Sequence, residues 1–442
     1  MKRTPLEAWI AGKLPGGAGT LTEQLERYQL RKLRETVAYA RDNSPFYRHH
    51  LSPLGDNPVT DLRDFASIPF TTASDLRREG TRMLCTSQDE IERVVTLQSS
   101  GTTGPPKRLF FTGEDLETTI DFFAHGMATL VEPGRTVIIF LPGTVRDSVG
   151  DLLARALDRT NVKPVIWGPV HDAAAARTEI LKHRNPCLVG IPTQILALAR
   201  GDLAGSIPRG WVESVLLSTD YVSGAIEEEL KRLWGCRVLT HYGMTETGLG
   251  GGVECEAGEG YHLRESDLYT EIIDPVTGVP LPDGEEGEVV FTTLTRRGMP
   301  LVRYRTGDRA RLVTVPCPCG TPLKRLGRVQ GRIETEVLLK EGRRLRMSAL
   351  DEALFPIPGL LNFAAEVVSR EGSDHLHLNL HTVAGEEETV ARGILPALIT
   401  ADTTGAFFRD KLLVLGNITF SPAEWSGTGV AKRQILDRRG LK

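Results

Sequence analysis

The sequence predicts an α/β fold in which a large N-terminal domain precedes a smaller α+β domain. The chain has 442 residues, which is too long for one ordinary core and suits a large domain with a smaller one. Between residues 91 and 240, short runs rich in β-branched residues alternate with segments of helical character, which indicates parallel βαβ units. From 268 to 315, short strands with turn signals indicate an antiparallel or barrel-like subdomain.

The predicted elements follow one another in a regular order. Residues 20–90 are expected to be mostly helical. Apolar, β-branched runs predict buried strands at 94–97, 136–140, 164–167, 187–191, 214–217 and 237–240. The segments between most of them predict helices at 115–131, 147–158, 172–184 and 226–234. The remaining elements follow a boundary near 331–335, and they are strands at 363–369 and 376–381 and a helix at 387–399. We therefore assign residues 1–331 to one domain and residues 332–442 to another.

The charge and hydropathy of the chain argue against nucleic-acid and membrane partners. Its 53 basic and 57 acidic residues leave a net charge of −4, which provides no bulk attraction to nucleic acid or to an anionic membrane. No apolar run approaches the roughly 20 residues that span a bilayer, and the apolar stretch near the N-terminus is too short for a signal peptide. We therefore expect a cytoplasmic protein with reduced cysteines, and a homodimer as the commonest oligomeric state.

A segment rich in glycine and hydroxyl side chains follows the strand predicted at 94–97. Glycines let the backbone turn tightly and bring its N–H groups close to phosphate oxygens, while hydroxyls and a lysine add donors and positive charge. The residues concerned are Ser99, Ser100, Gly101, Thr102, Thr103, Gly104 and Lys107. The segment lacks the Gly-x-x-x-x-Gly-Lys-Ser/Thr pattern of P-loop nucleotidases, and its composition alone fits a surface loop equally well.

Two further motifs follow at the separations of a known superfamily. They are His241-Tyr242-Gly243-Met244-Thr245-Glu246 and Tyr304-Arg305-Thr306-Gly307-Asp308. With the phosphate loop, they resemble the adenylate-forming superfamily of acyl-CoA synthetases and adenylation domains. Within it, the chain is most similar to the phenylacetate–CoA ligase branch, because of the segments 43–48, 68–72 and 317–320. The resemblance implies an N-terminal adenylation domain and a mobile C-terminal domain.

The resemblance implies an ATP-dependent ligase that activates a carboxylic acid. The carboxylate would attack the α-phosphate of ATP to give an acyl-adenylate and pyrophosphate, and coenzyme A would then accept the acyl group. The branch suggests an aryl acid, although residues 133–150, where relatives begin to build the acyl pocket, lack the aromatic and glycine-rich sequence of phenylacetate ligases. An adenylating enzyme with another acceptor and a ligase-inactive nucleotide-binding protein are the alternative functions.

The resemblance also assigns roles around the nucleotide. Tyr242, beside Gly243, would stack on adenine. Thr245 would contact the α-phosphate, and Glu246 would hold Mg²⁺. Asp308 would accept hydrogen bonds from the ribose hydroxyls, which suits a carboxylate with two acceptor oxygens. The other candidate contacts to adenosine or ribose are Ser218, Thr219, Asp220, Arg328 and Arg332. A core tyrosine, an Asx turn or a plain polar loop is the structural alternative for these positions.

The C-terminal domain carries two further candidates. In relatives, an acidic residue two positions after a ribose-contacting arginine is the hinge between the half-reactions, and Glu334 matches it. Relatives also have a catalytic lysine directly after a small glycine turn near the C-terminus. Lys432 is the best candidate, but it does not directly follow Gly429, so a solvated lysine in a basic tail is an alternative of similar weight.

Two pairs of metal-binding residue types suggest a structural zinc site. Cys317 and Cys319 flank a proline in a Cys-Pro-Cys-Gly turn, and Cys255 and His262 lie earlier in the chain. Three thiolates and an imidazole are an ordinary tetrahedral zinc set, and two separated pairs are how structural zinc ties chain segments together. Reduced thiols and a loop histidine without metal are the alternative. The other cysteines, Cys85, Cys187 and Cys236, are predicted to be core residues.

Overall fold

The computed structural model describes residues 1–54, 59, 61–62, 64–97, 105–370, 372–421 and 432–440. The predicted phosphate-loop residues Ser99, Ser100, Gly101, Thr102, Thr103 and Gly104 lie outside these ranges. The chain divides into two compact units, which are described separately. Unit 1 contains residues 1–129, 155–160 and 241–329, and unit 2 contains residues 130–154, 161–240 and 330–442. This grouping places residues 161–240 with the C-terminal part, and the division into domains at 331 and 332 stays a prediction.

The described elements confirm the α/β class. The helices are α1 (Pro5–Lys13), α2 (Leu21–Asn43), α3 (Pro45–His50), α4 (Ala73–Glu79), α5 (Gly113–Met127), α6 (Val149–Arg159), α7 (Ala173–Leu181), α8 (Pro192–Arg200), α9 (Gly224–Trp234), α10 (Met347–Leu354), α11 (Glu387–Thr400) and α12 (Gly405–Arg409). The strands are β1 (Ile91–Leu97), β2 (Lys107–Thr112), β3 (Thr136–Ile139), β4 (Lys163–Ile166), β5 (Cys187–Gly190), β6 (Ser214–Leu217), β7 (Arg237–Tyr242), β8 (Gly252–Glu254), β9 (Tyr261–Leu263), β10 (Leu268–Ile273), β11 (Gly287–Thr293), β12 (Tyr304–Ala310), β13 (Leu312–Val313), β14 (Arg325–Leu326), β15 (Val337–Leu338), β16 (Arg344–Leu345), β17 (Leu360–Arg370), β18 (Ser373–Thr382), β19 (Val414–Phe420) and β20 (Ile435–Asp437). No helix within these described ranges combines the length and apolar character that a membrane crossing needs.

Unit 2 contains the predicted parallel sheet. Its strands lie in the order β4-β3-β5-β6-β7, and each neighbouring pair is parallel. Strands β5 and β6 are buried along their whole length, as their continuous apolar sequence predicts. Helix α8 differs from the prediction, which had no helix between 191 and 214. Eight of its nine residues are buried, and these include the polar residues Thr193 and Gln194.

The C-terminal part of unit 2 forms a four-stranded sheet in the order β19-β18-β17-β20. Arg200 at the end of α8 joins this part to the parallel-sheet part. Its guanidinium pairs with Glu229 at 3.0 Å and donates hydrogen bonds to the carbonyl oxygens of Phe355, Ile357 and Leu360 at 2.8, 3.2 and 2.6 Å. Burial lowers the pKa of Arg200, which therefore depends on these four acceptors.

Unit 1 is built on antiparallel sheets. Strands β10, β11 and β12 form a three-stranded antiparallel sheet where the sequence suggested a barrel-like subdomain. Strand β1 includes the predicted strand 94–97, but it is not a buried strand of the parallel sheet. It pairs antiparallel with β2, its residues alternate between half-buried and exposed, and Val94 is 43% exposed. This alternation is typical of an antiparallel pair with one solvated face.

The segments 43–48 and 68–72 of unit 1 hold the residues just before β12, the strand that carries Asp308. The Tyr47 hydroxyl accepts a hydrogen bond from the Val302 amide at 3.1 Å and lies 3.2 Å from the Thr71 hydroxyl. Thr71 in turn donates to the Val302 carbonyl oxygen at 2.7 Å. Its backbone also accepts from the Arg305 amide at 2.9 Å. Tyr47 and Thr71 are fully buried, so these polar groups depend on one another for hydrogen bonds.

Arg303, which directly follows Val302 in the chain, adds further contacts to the same segments. It has a positive φ of 45°, and its side chain is 1% exposed. The guanidinium makes a two-pronged pair with Glu271 at 3.0 and 3.1 Å and donates to the carbonyl oxygens of Ala66 and Ile68 at 2.5 and 2.7 Å. The segment 68–72, noted in the sequence for its resemblance, therefore has a structural role that its composition did not reveal.

Substitution of Tyr47 by phenylalanine tests these contacts. The variant leaves the buried Val302 amide without its acceptor, so we expect a loss of about 1–3 kcal/mol in the free energy of unfolding, measured with urea. Tyr28→Phe is the matched control, because Tyr28 is also buried but its hydroxyl makes no hydrogen bond with the part of the chain that the structure describes. Equal unfolding midpoints for the two variants would contradict the assignment.

Candidate active site

Three separated motifs of unit 1 meet at one buried carboxylate. Lys107 is the first residue of β2, Glu246 lies in a short 3₁₀ turn at Thr245–Thr247, and Tyr304 is the first residue of β12. The Lys107 ammonium donates to Glu246 Oε1 at 2.6 Å, and the Tyr304 hydroxyl donates to the same oxygen at 3.2 Å. Glu246 is 2% exposed. A short, charge-assisted pair in such surroundings has a strongly fixed geometry.

A second buried carboxylate, Asp308, lies further along β12. It is fully buried and accepts a hydrogen bond from the Tyr242 hydroxyl at 3.1 Å. Tyr242 is the last residue of β7 and is itself buried, and Gly251 packs against its ring. The two motifs that carry Tyr242 and Asp308 are therefore linked at the carboxylate that the resemblance assigns to the ribose.

Gly243, the next residue of the same motif, must be glycine. A Cβ atom there would lie 2.6 Å from the Leu249 carbonyl oxygen. Thr245 is half-buried at the start of the 3₁₀ turn. Arg328 approaches buried Glu254, with 3.7 Å between its Nη2 and Glu254 Oε1. The close backbone approach at Gly243 keeps the 243–251 segment compact next to Tyr242.

The remaining predicted residues belong to unit 2. Ser218, Thr219 and Asp220 follow β6, and Thr219 has a positive φ of 80°. Asp220 pairs with Arg433 at 3.0 Å. Arg332 is half-buried before a 3₁₀ turn at Ile333–Thr335, in which Glu334 is exposed. Lys432 is also exposed, and the preceding glycine turn lies outside the described residues. Ser218, Thr219, Asp220, Arg332, Glu334 and Lys432 therefore lie in unit 2, whereas Lys107, Glu246 and Asp308 lie in unit 1.

Arg296, which lies between β11 and β12, belongs to none of the motifs recognised in the sequence. Its Nη1 atom is buried and has no hydrogen-bond partner among the described residues, and its guanidinium stacks over the Phe111 ring at 4.9 Å. Burial lowers its pKa to about 10, against the opposing effect of Asp115 and Glu246. Arg296 therefore adds a second cation within electrostatic range of Glu246, and the adjacent pair Arg296-Arg297 was the available signal in the sequence.

The four residues selected as zinc ligands come together in unit 1. Cys255, His262, Cys317 and Cys319 are buried, and their ligand atoms lie within 4.8 Å of one another. Cys255 Sγ is 3.5 Å from Cys317 Sγ, and His262 Nε2 is 3.4 and 3.6 Å from the sulfurs of Cys317 and Cys319. Tetrahedral zinc with bonds of about 2.3 Å to sulfur and about 2.0 Å to nitrogen separates its ligand atoms by roughly 3.5–3.8 Å. The arrangement therefore fits a tetrahedral ion.

The protonation of this cluster also suits a metal. Burial lowers the pKa of His262 to about 4, so the imidazole is neutral at pH 7, as a metal ligand must be. Burial raises the pKa of Cys255 to about 12, so its thiolate needs a compensating cation. The remaining cysteines, Cys85, Cys187 and Cys236, are buried as predicted.

Comparison with known proteins agrees with this geometry. The family described as AMP-binding enzyme matches residues 55–294. The phenylacetate–coenzyme A ligase of Thermus thermophilus is 32% identical over 360 residues, which cover 79% of this chain and 80% of that protein. The phenylacetate–coenzyme A ligase of Pseudomonas putida is 31% identical over 359 residues, with 76% and 77% covered.

A solved structure shows the same fold. It is the 2-hydroxyisobutyryl-CoA ligase in the postadenylation state, which has a TM-score of 0.78 and 20% identity over 94% of this chain and 90% of that chain. Sequence and fold therefore agree with the motifs that meet at Glu246 and Asp308. The chain belongs to the AMP-binding enzyme family and, within it, to the phenylacetate–CoA ligase-like branch of AMP-forming acid–CoA ligases.

Proposed function

We propose that this ligase activates an aryl acid, and that the buried groups of unit 1 handle the nucleotide. In the first half-reaction, a carboxylate oxygen bonds to the α-phosphorus of ATP and the bond to pyrophosphate breaks, which leaves an acyl-adenylate. In the second, the sulfur of coenzyme A bonds to the acyl carbon, the bond to AMP breaks, and the thiol proton goes to solvent. The meeting of three motifs at Glu246 carries the assignment of the nucleotide groups, and the likeness to phenylacetate–coenzyme A ligases supports the aryl acid.

Lys107 and Glu246 have opposite charges and are therefore suited to the two charged components of a magnesium–triphosphate, the phosphates and the metal ion. The Lys107 ammonium would neutralise phosphate charge, and the Glu246 carboxylate would hold Mg²⁺, which favours one or two protein carboxylates and completes its shell with phosphate oxygens and water. Bound Mg²⁺ supplies charge neutralisation on the phosphates. Thr245 would add a hydroxyl at the α-phosphate, as would the hydroxyls of the segment before Lys107. Catalysis of this kind depends mainly on alignment and on stabilisation of charge.

Asp308 is proposed to bind the ribose. A fully buried carboxylate has strong acceptor oxygens, and the hydrogen bond from Tyr242 orients one of them. The buried, partly covered ring of Tyr242 makes this orienting role at least as well supported as stacking on adenine. Arg328 and Arg332 are proposed to lie near the same ribose, and Glu334 is proposed as the hinge because it is exposed in a short turn.

The identity of the acid and the acceptor is tested by pyrophosphate release. Purified enzyme is assayed with ATP and Mg²⁺ against a panel of acids that contains phenylacetate, benzoate and aliphatic acids, with and without coenzyme A. Release with an aryl acid and thioester formation with coenzyme A are expected. Release without thioester would favour a different acceptor, and no release with any acid would favour the ligase-inactive alternative that the displaced Lys432 suggests.

Substitution of Asp308 by alanine tests the ribose assignment. Hydrogen bonds to charged groups contribute about 1.5–3 kcal/mol, so we expect ATP affinity to fall by about tenfold to a hundredfold in calorimetry. Tyr242→Phe, which keeps the ring and removes the orienting hydroxyl, is expected to have a smaller effect. Wild-type ATP affinity in Asp308→Ala would exclude the assignment.

We further propose that Cys255, His262, Cys317 and Cys319 hold a structural zinc ion. The four ligand atoms fill a tetrahedral set and leave no open position for a substrate, so the ion would tie the segment after β8 to the segment before β14. The spacing of the ligand atoms supports this proposal more strongly than the residue types alone.

Metal analysis of protein purified without a metal-affinity tag tests the zinc site. We expect about one zinc per chain, absent in Cys317→Ser, and a lower melting temperature for that variant. A site saturated about a thousandfold above its Kd stabilises a fold by about 4 kcal/mol. Chelator should destabilise wild-type protein but not Cys317→Ser, and Cys85→Ser is the control with a buried cysteine outside the cluster. Zinc-free protein of undiminished stability would refute the site.

A further inference from the structure

The side chain of Arg433, next to Lys432, is held firmly in unit 2. It is 14% exposed, its Nε donates to Asp220 Oδ2 at 3.0 Å, and its Nη2 donates to Asp351 Oδ2 at 2.7 Å. The guanidinium also lies over the rings of Phe355 and Phe363, at 5.2 and 5.5 Å from their centroids. Planar stacking together with two charge-assisted hydrogen bonds is a geometry that arginine provides and lysine does not.

The two carboxylates that share Arg433 come from different parts of the chain. Asp351 is on α10, in the C-terminal part, and it is fully buried. Asp220 is in the turn after β6 of the parallel sheet. Arg433 therefore connects the C-terminal segment with a turn that belongs to the parallel-sheet part of the same unit.

Helix α10 holds the same turn through a second carboxylate. Glu352 Oε1 accepts hydrogen bonds from the Tyr221 hydroxyl at 2.7 Å and from the Gly224 amide at 3.1 Å. Within the turn, Asp220 Oδ1 accepts from the Tyr221 amide at 2.9 Å, which leaves Oδ2 directed at Arg433. Asp220 is therefore already oriented towards Arg433 rather than left for an adenosine contact.

Arg433 lies two residues before Ile435, where β20 begins. Its position determines which part of the backbone its ion pair holds in place. Strand β20 is paired with β17, so the chain is fixed from Ile435 onward. The ion pair with Asp220 fixes it two residues earlier, next to Lys432. Two fixed points on either side of Gln434 restrict the backbone next to Lys432, which is an exposed residue.

We propose that Asp220 and Arg433 are positioning residues whose ion pair docks the segment before β20 on the turn after β6 and thereby places Lys432 for acyl-adenylate formation. This inference rests on the proposed two-step function. In this arrangement Asp220 binds Arg433 within the protein and does not contact the nucleotide. Because Lys432 is the candidate lysine for acyl-adenylate formation, we expect the pair to serve the first half-reaction and not the second.

The test compares Asp220→Asn, Arg433→Gln and the double variant. With the best acid of the panel, single-turnover pyrophosphate release should fall by about tenfold to a hundredfold in each single variant, and the double variant should be no slower than the slower single. Thioester formation from isolated acyl-adenylate and coenzyme A, and calorimetric ATP affinity, should stay within about twofold of wild type. Hydrogen exchange at residues 432–434 should accelerate in all three variants.

The matched control is Arg438→Gln. Arg438 is in the same C-terminal segment, but its side chain is 51% exposed and its Nε is 3.9 Å from Glu366, so wild-type rates are expected. Because Arg433 is buried with Asp351, Arg433→Gln could fail to fold, and Asp220→Asn then decides alone.

Several results would overturn the inference. Weaker ATP binding by Asp220→Asn with unchanged hydrogen exchange at 432–434 would return Asp220 to the nucleotide site. Additive losses in the double variant would show that the two residues act separately, and equal losses in both half-reactions would show a general structural role. Hydrogen exchange needs no substrate, so it tests the docking of residues 432–434 even if no acid supports pyrophosphate release. The absence of pyrophosphate release with every acid would contradict the proposed function and not the docking.

Discussion

The buried ion pair between Lys107 and Glu246 is the interaction on which the rest of the active site depends. Transfer of each charge from water into the protein costs several kcal/mol, and only close pairing with additional hydrogen bonds offsets it. The 2.6 Å contact and the Tyr304 hydroxyl provide both. The three residues begin or belong to three different elements, so β2, the turn that carries Glu246 and β12 must keep their positions for the charges to remain paired.

The same pair would allow the proposed nucleotide site to be stable both without and with its ligand. Lys107 and Glu246 neutralise each other in the absence of ligand. If they bind a magnesium–triphosphate as proposed, it would offer each of them a new partner of opposite sign, so the exchange would leave neither charge uncompensated. Arg296, whose buried Nη1 has no hydrogen-bond partner among the described residues, makes the surroundings of Glu246 more positive. Such surroundings favour an anion over water, which is the electrostatic requirement for binding ATP.

The sequence predicted what depends on local pattern and missed what depends on distant contacts. Strand β6 was predicted at its observed bounds, because a fully buried strand of a parallel sheet is a continuous apolar run. The residues that meet at Glu246 and the cluster of three cysteines and one histidine were predicted from motifs and spacing. By contrast, the contacts of Tyr47 with Val302 and of Arg433 with Asp220 join residues separated by 255 and 213 positions. No local pattern indicates such pairs, and no helix was predicted at α8, because periodicity alone does not separate a short, mostly apolar helix from a buried strand.

The cluster of Cys255, His262, Cys317 and Cys319 makes no contact with the proposed nucleotide residues among the described contacts, but strand pairing connects the two. Cys255 directly follows β8, and His262 lies on β9, which pairs with both β8 and β14. Strand β8 pairs in turn with His241 and Tyr242 at the end of β7. These strands are two or three residues long, and strands so short have few ladder hydrogen bonds to keep their register. A four-ligand ion that joins their ends would hold the register, and with it the Tyr242 hydroxyl that orients Asp308. A structural metal would therefore act on nucleotide binding only through strand pairing, without any contact to the ligand.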